Sequence, residues 1–85
     1  MKMDIKSVVC DVIATETVIG KQIFDVDEEV NLLDFGLDSF QIMNVIVELE
    51  NRLDIVFRDE DLIILRFQNI KEICASLFEV LKNYE

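Results

Sequence analysis

The run NLLDFGLDSF, residues 31–40, holds the side chains best placed to do chemistry. Ser39 offers a hydroxyl, and Asp34, Gly36 and Asp38 lead up to it. A serine that attacks a substrate needs a base, and the chain contains no histidine, no lysine near Ser39 in sequence and no G-x-S-x-G elbow. Hydrolysis is therefore not the reading of this serine. Ser39 instead opens a segment with helical spacing, and the start of a helix presents free N–H groups and the positive end of its dipole, which favour phosphate. A covalent phosphodiester fits that position, and simple phosphorylation fits the same physics. A plain capping serine is the third possibility, although Asp38 already fills that role.

The other reactive groups suggest less. Cys10 and Cys74 each sit in an apolar helical context, with no C-x-x-C, and are expected to be buried reduced thiols. Without histidine a zinc site is hard to assemble. The acidic runs DVDEE and RDED lack the calcium-loop spacing, with its central glycine and twelfth-position glutamate, so no metal site is expected.

The elements that must position Ser39 follow from periodicity and capping. Ile5, Val8, Val9, Val12 and Ile13 have helical spacing, with Gly20 just beyond as a stop. A loop over 21–37 carries apolar anchors, Ile23, Phe24, Val26, Val30, Leu32, Leu33 and Phe35, that should pin it to the core. The second helix is predicted from Asp38 to about Leu53. Asp38 and Gln41 form a reciprocal capping box, and Leu37 and Ile42 form a hydrophobic staple. EDLIIL fits a short third helix capped by Asp59. A last helix begins at Asn69, with Glu72 completing its box, and buries Ile70, Ile73, Cys74, Leu77 and Leu81. IVF at 55–57 is β-prone but has no partner strand. The chain reads as all-α: a small four-helix bundle of three longer helices and one short third helix, in a single domain over 1–85.

The second helix is apolar twice. At about 100° per residue, Ile42, Val45, Ile46, Leu49 and Leu53 share a core-facing arc, while Phe40, Met43 and Val47 lie roughly 140–150° away. Either the long loop folds over this second stripe, or it is a docking patch for a partner, with Ser39 beside it.

Charge narrows the partners. From Asp25 to Asp61 there are twelve acids and two bases, and the remainder balances, so the net −10 belongs to the middle segment. Such a field repels nucleic acid and anionic membrane and speeds encounter with basic protein surfaces. No apolar run approaches the roughly 18 residues that span a bilayer. The N-terminus carries acids where a signal peptide would not, so a cytoplasmic location is expected, and the chain is read as a monomer.

With these residues in view, NLLDFGLDSF followed by an apolar helix resembles the prosthetic-group site of acyl carrier proteins and of their aminoacyl and peptidyl relatives. The pattern Asp-x-Gly-x-Asp-Ser plus an apolar residue is met by Asp34, Gly36, Asp38, Ser39 and Phe40. VIGKQIFDVDEEVNLL and FQNIKEI extend the resemblance over nearly the whole chain. The resemblance implies an acyl-carrier-like fold and a free-standing carrier with no catalysis of its own. In it Ser39 receives 4′-phosphopantetheine from coenzyme A through a Mg²⁺-dependent phosphopantetheinyl transferase. Asp38, Gly36 and Leu37 frame the site, and a Cβ at residue 36 would obstruct the turn. The thiol of the arm then holds acyl or aminoacyl groups for loading and synthase enzymes with basic docking surfaces. The resemblance also makes the second helix the recognition element, assigning docking to Phe40, Met43, Val47, Asn44 and Glu48. Fatty-acid carriers commonly have glutamate where Asn44 stands, a small residue where Glu48 stands and a proline near Arg58. The pathway is thus open among fatty-acid, polyketide, nonribosomal-peptide and D-alanine systems. An acidic, non-catalytic interaction domain is the reading from a different class.

Overall fold

The computed structural model describes residues 4–62 and 64–82. Helix α1 spans Ile5–Glu16, α2 Ser39–Leu53 and α3 Ile70–Lys82. Short 3₁₀ turns at Gly20–Asp25, Leu32–Phe35, Asp59–Asp61 and Ile64–Phe67 join them, and no strand forms among the described residues. The all-helical bundle expected from the sequence is the fold, with one difference in detail. The short third helix is realised as the last two 3₁₀ turns, and Ile63 between them lies outside the described residues. Arg58, not Asp59, stands at the cap position, and its side chain makes no capping bond.

Each long helix starts where a side chain closes its first turn. Asp4 accepts from the Ser7 amide at 3.3 Å, Asp38 from the Gln41 amide at 2.8 Å and Asn69 from the Glu72 amide at 2.7 Å. α1 stops at Thr17, earlier than the glycine stop predicted, because Thr17 turns extended while its hydroxyl donates to the Ile13 carbonyl at 2.7 Å. Gly20 opens the following 3₁₀ turn instead. α2 ends at Asp54, which adopts the left-handed conformation at φ 53°.

The helices meet through one apolar stripe apiece. Val9, Val12 and Ile13 of α1, Ile42, Val45, Ile46 and Leu49 of α2, and Ile70, Ile73 and Leu77 of α3 are all buried. α1 packs against both other helices. In α3 the buried set includes Ser76 and Val80 rather than Cys74 and Leu81, which are half-buried. The Ser76 hydroxyl is satisfied by the Arg66 carbonyl at 3.3 Å. Ile55 and Phe57 point inward and Val56 outward, a strand-like alternation in a segment that forms no strand among the described residues, and the Phe57 amide donates to the Glu50 carboxylate at 2.9 Å. Phe57 meets Phe67 edge-on at 5.6 Å, a favoured aromatic geometry.

The long loop is anchored to the core less uniformly than its composition suggests. Ile23 and Leu32 are buried and Val26 and Val30 half-buried, but Phe24, Leu33 and Phe35 are exposed. Backbone bonds add to its anchorage. The Leu32 amide donates to the Gln68 carbonyl at 2.7 Å, and the Lys71 amide to the Glu28 carbonyl at 3.0 Å. Both tie the loop to the entrance of α3.

Candidate functional site

The approach to Ser39 is built in three local steps. Asn31 accepts from the Leu33 amide at 2.9 Å and starts the 3₁₀ turn. Gly36 ends it at φ 94°, ψ 6°, a left-handed conformation that costs a residue with a Cβ about 1–2 kcal/mol. The reason for glycine is this backbone angle and not crowding, since a Cβ at residue 36 would meet nothing within 4 Å. The need for glycine in this turn, expected from the sequence, is met through the dihedral and not through contact with neighbouring atoms. Leu37 then drops into the core at 4% exposure, in the same apolar cluster as Ile42, as the staple requires. Its side chain faces inward, so it supports the site from beneath and offers no surface to a cofactor. Asp38 is the cap, and Ser39 is the first residue of α2.

Ser39 is exposed, and among the described residues nothing hydrogen-bonds to its hydroxyl. The first N–H groups of a helix have no intrahelical acceptor. Asp38 takes that of Gln41, and no acceptor is placed on those of Ser39 and Phe40 among the described residues. Those amides and the helix dipole leave a weakly electropositive spot around an open hydroxyl, although the surrounding segment is acidic.

The Asp38–Gln41 capping box is half realised. Gln41 does not reach back to the Asp38 amide. Its Oε1 accepts from the Val18 amide at 3.1 Å, and its Nε2 donates to the Gly36 carbonyl at 3.4 Å. These contacts are missed by sequence reasoning, because Val18 is remote in sequence and nothing in the local pattern points to it.

The second apolar stripe of α2 is open. Phe40 is 75% exposed, Met43 45% and Val47 48%, so the loop does not fold over them. Asn44 is exposed on the same helix, whereas Glu48 is half-buried and held at 3.0 Å by Arg52 Nε. Arg52 also bridges to Asp11 on α1, so Glu48 belongs to an inter-helix ion network as well as to the rim of the patch. Leu33 and Phe35, on the turn leading into α2, add exposed apolar surface that the anchor reading of the loop had placed inside.

Scanned against protein-family models, residues 5–77 match the phosphopantetheine attachment site family. The chain belongs to that family. No curated protein and no solved structure gave a significant match. The family match agrees with the all-helical fold, and the chain is a phosphopantetheine carrier protein, with 4′-phosphopantetheine as its prosthetic group. The carrier's own geometry fits such a group. Among the described residues, an exposed and unclaimed hydroxyl at a capped helix start, with two free amides beside it, can accept a phosphodiester without displacing a protein hydrogen bond. No helix among the described residues is long and apolar enough to cross a membrane.

Proposed function

We propose that Ser39 is the attachment residue and that the chain ferries acyl or aminoacyl intermediates between enzymes of a biosynthetic pathway. The observation that carries this reading is the state of the Ser39 hydroxyl: exposed, unbonded among the described residues, and at the first position of a helix whose cap is already made by Asp38. When attached, the arm supplies a terminal thiol that holds its cargo as a thioester. The residues of the chain have the other tasks. Asp38 fixes the first turn, so the hydroxyl is presented at one place and one angle. Gly36 supplies the backbone reversal that brings it there. Phe40, Met43 and Val47 offer apolar contact to the transferase and to synthase enzymes, with Asn44 and Glu48 at the edge of that surface.

The net −10 charge supports partners with basic docking faces and attracts them before contact. Carriage rather than catalysis is supported by the want of any base bonded to Ser39 among the described residues and of any histidine in the chain. A tether confines the intermediate at high effective concentration, while a small apolar patch docks weakly enough to release it to the next enzyme.

The test is intact-mass spectrometry after incubation with coenzyme A, Mg²⁺ and a broad-specificity phosphopantetheinyl transferase. One phosphopantetheine is added to the wild type and none to Ser39→Ala. Addition to Ser39→Ala would move the attachment elsewhere. Loading the product with acyl-coenzyme A or with amino acid and the matching ligase then separates an acyl carrier, of fatty-acid or polyketide type, from an aminoacyl carrier of nonribosomal-peptide or D-alanylation type.

A further inference from the structure

Ser39 is reached through a flexible residue. Gly36 has left-handed geometry that glycine leaves easily, and only Leu37 and Asp38 separate it from the serine. Leu37 is held in the core, which fixes the segment from below. From the outer side the contact comes from Gln41, whose carboxamide is an acceptor at one end and a donor at the other. The acceptor end holds the Val18 amide, just past the end of α1, and the donor end holds the Gly36 carbonyl. One side chain thereby joins the exit of α1, the glycine turn and the first turn of α2.

We propose that Gln41 is a positioning residue for modification of Ser39, an inference that rests on Ser39 being the attachment residue. Both side-chain bonds are solvent-exposed, so water replaces them when they are lost and the fold is little affected. What changes is the range of turn geometries open to Gly36, and with it the placement of the serine hydroxyl. The effect falls on the rate of transfer, because the apolar face of α2 that meets the enzyme is untouched.

Two variants separate the parts. Gln41→Met has similar length and neither bond. Gln41→Glu keeps an acceptor for Val18 but sets an oxygen against the Gly36 carbonyl. The measurement is steady-state transferase kinetics with coenzyme A and Mg²⁺, alongside far-UV circular dichroism, melting and amide exchange at Val18. In Gln41→Met, kcat falls about tenfold with KM nearly unchanged, and the Val18 amide exchanges faster. In Gln41→Glu, Val18 stays protected while kcat still falls, so the Gly36 contact is the one that matters. Wild-type kcat in both variants overturns the proposal, as does a loss carried wholly by KM. Ser39→Ala, run in parallel, keeps the two readings distinct. If it takes up the arm, the attachment reading fails. If it does not, while both Gln41 variants react at the wild-type rate, only the role of Gln41 falls.

Discussion

Asp38 Oδ1 accepts the Gln41 amide at 2.8 Å, closing the first turn of α2 around the two residues that lie between them, Ser39 and Phe40. This bond separates two tasks of one carboxylate. Asp38→Ala loses the cap and costs about 1 kcal/mol, a drop in Tm of about 4–8 °C for a domain this size. Asp38→Asn retains a capping oxygen and melts close to the wild type, yet removes the charge beside the hydroxyl. Transferase assays should show Asp38→Asn modified more slowly than the wild type. Equal rates would reduce the carboxylate to a cap.

Gly36→Ala tests the backbone account of the turn. With open space where the Cβ would sit, the cost is conformational alone, about 1–2 kcal/mol, and Gly36→Asn recovers part of it because asparagine tolerates the left-handed region. Denaturant titration measures both. A loss well above that range would mean that a steric contact had been overlooked.

Met43→Glu keeps the domain folded, because Met43 is nearly half exposed and has no core role; its stability changes by about 0.5 kcal/mol or less. Turnover by a partner synthase falls, through lost apolar contact and added repulsion within the patch. If the proposed basic docking faces are those of its partners, raising the salt slows wild-type association as well, by screening their attraction to the acidic segment beyond about a Debye length. A Met43→Glu chain that melts far below the wild type would make the patch core instead of dock.

Cys74 supplies a pH dependence. Burial, with the nearby Cys10 second, pushes its thiol up to about 11 from an ordinary 9.0. The folded chain therefore holds this proton more tightly than the unfolded chain. The stabilisation is complete below about pH 9 and is lost as pH rises toward 11. Cys74→Ala should lessen the fall of Tm between those limits, while Cys10, raised by its own burial, and Lys71, raised chiefly by its bond to Glu29, leave a residual slope of the same sign. The same shift keeps Cys74 slow toward alkylating reagents near neutral pH, so iodoacetamide should label the thiol of an attached arm well before it.

Capping and periodicity made most of the fold legible. Asp38 and Asn69 mark the starts of α2 and α3 through bonds to amides three residues on, information wholly local in the sequence. The two stripes of α2 were equally plain, because a regular helix converts spacing into direction. Direction was lost where regular structure was lost. Phe24, Leu33 and Phe35 are as apolar as the anchors Ile23 and Leu32, but no period in the loop says which of them turn outward. The α3 stripe continues through Ser76 and Val80, past the point where residue type alone favoured Cys74 and Leu81. Gln41 reads as an ordinary box residue until Val18 is brought beside it by the packing of α1 against α2.

The backbone bond from Leu32 to Gln68 has a bearing on synthesis of the chain. During translation, α1, the loop and α2 leave the ribosome before Gln68, which supplies the acceptor carbonyl, can reach Leu32. The segment that leads to Ser39 therefore lacks one of its fastenings until residue 68 has followed it out.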